Sequence, residues 1–190
     1  KELNQDAFLT WLLKYADRSC ASINISLNNC GKEFISSLIK SVHPQFNDNI
    51  EIVDAGRQWH NIDVWATINN KYLIIIEDKT FSSFHSNQLA RYRQIATEWC
   101  QEKEYFEPIC VYLKTGNESM RNLSFVKKQG YSIFKRQDFL KILEKYNKID
   151  NDIFIDFKDR LAKLEHSNNQ YKHKLIGEWN GADWQGFYQY

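Results

Sequence analysis

The sequence predicts an α/β fold: a mixed, twisted central β-sheet flanked by α-helices. Three observations carry that expectation. Apolar residues alternate at Ile62, Val64, Ala66 and Ile68 before Asn69-Asn70, and a continuous apolar run, Tyr72 to Ile76, follows the pair. A helical period from about Ser86 to Cys100 separates that run from a second one inside Glu107 to Lys114. A strand-helix-strand unit of this kind sets parallel strands side by side through a right-handed crossover. Amphipathic stretches at Asn4 to Asp17 and Asp152 to Leu164 supply helices to cover the sheet.

Composition bounds the rest. A chain of 190 residues, 43% hydrophobic and 15% aromatic, suits one folded domain over 1–190 with an adequate core, and excludes a disordered chain. Two Pro and seven Gly leave little room for linkers. The net charge of +1 gives no global basic signature of nucleic-acid binding. No signal peptide or apolar run of about eighteen residues is present, so no membrane partner and a cytoplasmic location are expected. Cys20, Cys30, Cys100 and Cys110 form no C-x-x-C pair, which removes zinc-site spacing and favours free, partly buried thiols of a reducing compartment, with a disulfide as the alternative.

In chain order, Asn4 to Asp17 reads as a helix capped by Asn4, with Phe8, Trp11, Leu12 and Tyr15 on one face. Ala21 to Asn29 reads as a polar connection. A second helix is expected from about Lys32 to Val42, with Phe34, Ile35, Leu38, Ile39 and Val42 buried and His43-Pro44 ending it. Ile50 to Trp59 reads as the first strand, and Arg57 and His60, near the following hairpin, could each touch a phosphate. His60 also reads as an ordinary strand-end residue. Asn69-Asn70 suits a tight turn, because Asn adopts positive φ at low cost.

Beyond the hairpin, Thr80 to Ser86 is a loop containing Phe81, Phe84 and His85. These could stack on bases or pack under the next helix. Ser86 or Asn87 is the expected cap of that helix, and Gln88 and Tyr92, four apart, share a face. Leu89, Ile95, Ala96 and Trp99 form its sheet-facing side. Tyr131 to Phe134 is a further short strand, followed by a helix near Gln137 to Tyr146. Arg121, Lys127, Lys128, Lys135, Arg136, Lys141, Lys145 and Lys148 give a local basic excess, read either as a backbone-binding surface or as a solvated face. Ser167-Asn168-Asn169 reads as a break. The aromatic stretch 179–190 holds Trp179, Trp184, Phe187, Tyr188 and Tyr190. It reads as a helix that is either truncated or an interface, toward a second copy or a larger chain.

Chemistry concentrates at the end of the second strand of the hairpin. Strand side chains alternate, so Glu77 and Lys79 point to one side and Asp78 to the other. A hairpin about Asn69-Asn70 returns Asp63 close to Glu77. Two adjacent carboxylates need a positive charge between them, and Mg²⁺ is usually held by one or two carboxylates with water and phosphate. A solvated strand end with a surface ion pair is the plain alternative.

Asp63, thirteen intervening residues, then Glu77-Asp78-Lys79 after an isoleucine run resembles the core motif of the PD-(D/E)XK nuclease superfamily. Gln88 to Tyr92 resembles the Q-x-x-x-Y helix motif of its exonuclease-like branch. The resemblance covers roughly the first 115 residues by motif order and the rest more loosely. Ile62 stands where the family's name has Pro, a departure that removes no ligand.

The resemblance implies a restriction-endonuclease-like core and metal-dependent hydrolysis of nucleic-acid phosphodiester bonds, with DNA the expected substrate. It implies Mg²⁺ or Mn²⁺ held by Asp63, Glu77 and Asp78, the last through its backbone carbonyl. Lys79 would orient the attacking water, and Gln88 would assist. It also implies a Glu from the helix before the hairpin. Glu33 is the candidate, against the plain reading that it favours the helix N-terminus. Gln88 would point back toward Glu77 and Lys79 and hold a water or a phosphate oxygen, and Arg91 and Tyr92 would extend the substrate surface. The alternatives are a catalytically inactive nuclease-like binding or assembly module, motivated by the near-neutral charge and aromatic tail, and a partner-dependent defence effector.

Overall fold

The sheet is built from five strands in chain order. They are β1 (Val53–Trp59), β2 (Ile62–Ile68), β3 (Tyr72–Lys79), β4 (Ile109–Lys114) and β5 (Ser132–Lys135). In this computed structural model, residues 2–80 and 87–188 are described, with side chains from residue 4 onward. β1, β2 and β3 form an antiparallel meander, and β3, β4 and β5 run parallel, so the sheet is mixed.

Turn chemistry decides the meander. His60 and Asn61 (φ 51° and 66°) join β1 to β2, and Asn69 and Asn70 (both φ 53°) join β2 to β3. Two successive positive-φ residues match the right-handed strand twist, so a two-residue loop closes without splaying the strands. The Asn69 side chain also accepts from the backbone N–H groups of Glu51 and Ile52 and donates to the Asn49 carbonyl. Those N–H groups are therefore taken before they can join the ladder. That is why β1 starts at Val53 and not at the predicted Ile50.

Helices cover both faces. α1 (Glu2–Tyr15), α2 (Ile25–Lys40), α5 (Arg136–Lys145) and α6 (Asp152–Asn169) pack on one face with Val64, Ala66, Ile74, Ile76 and Val111. α3 (Gln88–Glu102) and α4 (Met120–Lys128) cover the other, over Leu73, Ile75, Cys110 and Tyr112. β3 is thus buried on both sides, which accounts for its unbroken apolar run. Each fully buried Ile there contributes about 1.5–3 kcal/mol by area transfer. α7 (Gly181–Tyr188) packs against α6.

Several helix expectations need correction. α1 begins at Glu2, ahead of Asn4, so Asn4 is not its cap. α2 begins at Ile25, not Lys32, because Asn24 Oδ1 accepts the Leu27 N–H at 3.0 Å and opens the helix within the segment read as polar. Gly31 sits in its interior for a packing reason. A Cβ there would lie 2.6 Å from the Leu12 carbonyl oxygen, so only glycine lets α1 and α2 touch this closely. α4 was not expected at all. It is short, buries only Leu123 and Val126, and is capped by Ser119. α6 continues through Ser167, Asn168 and Asn169, which end the helix rather than break it. Among the described residues no helix is long and apolar enough to cross a membrane.

Candidate active site

The alternation of β3 carries through its charged end. Ile74 and Ile76 face α1, and Asp78 continues that side; Leu73 and Ile75 face α3, and Glu77 and Lys79 continue that one. β2 pairs with β3 as Val64 to Ile76, so the register carried one residue further sets Asp63 opposite Glu77. Gln58 pairs with nothing at the corresponding place on β1 and adopts φ 58°. The meander is therefore irregular where Asp63 lies.

Lys79 ties the two carboxylates together. Its Nζ is 2.6 Å from Glu77 Oε1 and 3.2 Å from Asp63 Oδ2, and it donates to the Asp78 carbonyl at 3.1 Å. Asp63 Oδ2 also accepts the Asp78 N–H at 3.0 Å. Across from β3, the first residue of α3 joins the cluster: Gln88 Nε2 donates to Glu77 Oε1 at 2.9 Å and to Tyr92 Oη at 3.2 Å. Glu77 is 1% exposed, so these contacts act in a water-poor setting where charge interactions are strong.

Behind β3, on the α1 side, Gln5 donates to Asp78 Oδ1 and to Thr115 Oγ1. Thr80 and Thr115 hydroxyls are 3.0 Å apart, and the Thr115 N–H donates to the Lys79 carbonyl. Asp78 Oδ2 and Asp6 Oδ1 are buried with no donor among the described residues, and the two carboxyls interact directly.

The electrostatics follow from burial first. Burial, then the charge of Asp63, pushes the Glu77 carboxyl up to about 7, against the pull of Lys79. Burial raises Asp6 to about 6 and holds Asp78 well above the usual carboxylate range, with Asp6 adding to the latter. Burial alone would depress the Lys79 ammonium, but Glu77 and Asp63 reverse that and leave it raised. Lys79 is therefore the fixed charge of the cluster.

The structure brings Asp63, Glu77, Lys79 and Gln88 together and sets the Asp78 carbonyl beside them. It does not bring Glu33. That carboxylate is held by Lys145 and the Tyr146 hydroxyl where α2 meets α5, and among the described residues it shares no partner with the cluster. α2 turns the Glu33 side away from the end of β3, and α1 supplies an acidic residue there instead. Asp6 is 3% exposed, interacts with Asp78, and feels the charges of Asp63, Lys79 and Arg57. Asp6 is not among the residues the sequence singles out, because an acid in the first turn of a helix is ordinary. The available signal was its place one residue after Gln5 on an otherwise apolar helix face.

Other expectations divide. Tyr92 is buried in the core under α3, so it braces Gln88 and offers no substrate surface, while Arg91 is exposed over the Tyr92 ring. Arg57 is exposed on β1, and His60 occupies the β1–β2 turn beside Trp59. Phe81, Phe84, His85 and the proposed cap Ser86 lie outside the described residues, as does Tyr190. The predicted basic surface is not one surface. Lys127 and Lys128 end α4 on one side of the sheet, Lys141 and Lys145 lie on α5 on the other, and Arg136 is buried. All four cysteines are free, and burial raises the thiols of Cys30 and Cys110 to about 12 and that of Cys100 to about 11, which makes them poor nucleophiles.

The donor set fits a hard divalent cation. Asp63 and Glu77 offer two carboxylates, the Asp78 carbonyl a third oxygen, and Glu77 Oε2 is a buried oxygen with no hydrogen-bond partner among the described residues. No group of three or more His, Cys, Asp or Glu side chains with metal-holding geometry occurs among the described residues. A site of this type would leave the remaining positions to water and phosphate.

Comparison with known families agrees with the motif. The sequence model described as PD-(D/E)XK nuclease superfamily matches residues 2–176. No curated protein and no solved structure gives a significant match.

Proposed function

Because the chain belongs to the PD-(D/E)XK nuclease superfamily, we propose that it hydrolyses phosphodiester bonds of nucleic acid, with DNA as substrate and Mg²⁺ or Mn²⁺ as cofactor. The observation that carries this reading is the buried set of Asp63, Glu77 and Lys79 at the end of β3, joined by Gln88 from α3.

Asp63, Glu77 and the Asp78 carbonyl would hold the cation. When bound, it supplies Lewis-acid activation of a phosphoryl oxygen and of water. The chain's own residues do the rest. Lys79, locked in its charged form, orients the attacking water and balances negative charge as it builds on the phosphate. Gln88 occupies Glu77 Oε1 and so leaves Oε2 as the open oxygen. Gln5 and Asp6 fix the Asp78 side chain on the reverse face, and with it the direction of the Asp78 carbonyl. A supporting shell of this kind is what keeps a metal-ligating set aligned.

The test is cleavage of linear and circular DNA, with RNA alongside, in Mg²⁺, Mn²⁺ or EDTA, using the parent, Lys79→Ala and Asp63→Ala. Metal-dependent cutting that disappears in both variants supports the reading, and the circular substrate separates internal from terminal attack. Equal cutting by parent and variants overturns it. No cutting together with no Mn²⁺-induced thermal stabilisation transfers the chain to the class of binding modules on a nuclease fold.

A further inference from the structure

Lys79 is the first of three lysines in one row. It pairs in register with Lys114 of β4, and Lys114 pairs with Lys135 of β5. Residues paired across a sheet project to the same face, so all three side chains share the face covered by α3 and α4. Adjacent strands lie about 4.8 Å apart, which puts Lys135 on the order of 10 Å from Lys79 across the sheet. That is a span of a few phosphates along a single strand.

The far end of this row opens into a cavity of about 270 Å³. Among the described residues four cations line it, Lys114, Lys135, Arg136 and Lys172, against one lining carboxylate, Glu118. Glu118 is already engaged by Lys114 at 3.3 Å, by the Ser119 N–H and by Asn122. Arg136 is 3% exposed and forms the rigid wall: it donates to the Thr115 carbonyl and to Asn117 Oδ1, and pairs with Glu165 at 2.6 Å. Lys135 and Lys172 are exposed at the mouth. The first turns of α4 and α5 border the same space, and their N-terminal dipoles add to the positive potential. The loop from β4 into the cavity is packed against the active strand, since a Cβ at Gly116 would lie 1.9 Å from the Thr80 carbonyl oxygen. Cavity and catalytic lysine are therefore parts of one rigid edge.

We infer that this cavity is a phosphate subsite. It receives a phosphate of the substrate strand a few nucleotides from the bond being cut, and Lys114 bridges it to Lys79. The inference rests on the nuclease reading above, which supplies the strand. Arg136 shapes the wall, and Lys135 and Lys172 provide the accessible charge.

Binding is the direct test. Fluorescent oligonucleotides, single-stranded and duplex, are titrated into the Lys79→Ala protein and into the same protein carrying Lys135→Ala with Lys172→Ala, across a salt series. Both added changes are at exposed positions, and a melting curve checks folding. The expected result is weaker binding, with the slope of log affinity against log salt reduced by about one per lost phosphate contact. In the cleaving parent background the same pair raises KM and leaves kcat unchanged. Oligonucleotides with and without a terminal phosphate separate the two sources of the group. Loss of affinity on removing the end phosphate assigns a terminal phosphomonoester, and an unchanged affinity with a reduced salt slope assigns an internal phosphodiester. Identical affinity and salt slope in both proteins overturns the subsite and leaves the nuclease reading intact. Failure of the Lys79→Ala protein to bind any oligonucleotide, joined to a parent that cuts none, overturns both.

Discussion

Gln88 Nε2 donates to Glu77 Oε1 at 2.9 Å, so the first residue of α3 is fastened to the end of β3. The same amide reaches the buried Tyr92 hydroxyl one turn on. This fixes which Glu77 oxygen stays open. Gln88→Ala is expected to lower metal-dependent cleavage about 10–100-fold, the usual effect of removing a group that orients a metal ligand. Gln88 is only partly buried, so the fold should survive, and kinetics beside a melting curve check both points. Unchanged kcat/KM would remove Gln88 from the site.

Glu33 and Glu77 make a controlled contrast. Glu33 pairs with Lys145 at side-chain exposures of 27% and 55%, a contact in the class worth about 0–1 kcal/mol. Glu33→Gln is expected to cut within about twofold of the parent, whereas Glu77→Gln should lose about 100-fold or more. Parallel cleavage assays decide it, and a large loss in Glu33→Gln would return that residue to the active site.

Metal-free stability should depend on pH in a definite direction. Glu77 is raised from 4.5 to about 7 and Asp6 from 3.8 to about 6. Between those limits the folded chain holds protons that the unfolded chain has released, so the contribution of these groups falls as pH rises through the window. Lys79, also raised, acts elsewhere: its contribution is full below the ordinary lysine range and is lost only at strongly alkaline pH. In EDTA, the melting temperature is expected to be higher near about pH 5.5 than near about pH 8, and the difference should shrink in Asp6→Asn. Mn²⁺ should stabilise more at the higher pH, because cation and protons compete for the same oxygens. Melts at both pH values, with and without Mn²⁺, check this. A Mn²⁺ increment independent of pH would count against Glu77 as a ligand.

Gly116 carries a packing role that can be isolated. A Cβ there would meet the Thr80 carbonyl oxygen at 1.9 Å, while at Gly177 no atom of the described residues lies within 4 Å. Gly116→Ala is expected to cost about 1–3 kcal/mol, as overpacked sites do. That corresponds to a melting temperature lower by about 2–12 °C. Gly177→Ala should melt with the parent. Because Thr80 follows Lys79 directly, Gly116→Ala should also depress cleavage at temperatures where the protein stays folded.

Much of the fold was legible because its signals are local. The alternation in β2, the run in β3 and the Asn69-Asn70 turn sit within eighteen residues, from Ile62 to Lys79, and give the hairpin and its register. α4 was not legible, because a nine-residue helix burying two side chains leaves almost no periodic trace. The start of α2 was missed for a related reason. Asn24 caps a first turn whose exposed Ile25 and polar neighbours do not look helical until the packing of Gly31 on α1 is seen.

By itself the sequence determined that Glu77 and Lys79 share one side of a buried strand, that Asp78 takes the other, and that Asp63 returns to the same end. A period of two and a two-residue turn leave no other arrangement. Only the tertiary structure decided that Asp6 and not Glu33 stands beside this cluster, that Tyr92 is core, and that Lys79, Lys114 and Lys135 form one row. Those placements depend on how helices lie across the sheet and how parallel strands align. Both are set by burial between segments far apart in the chain, which no local period records.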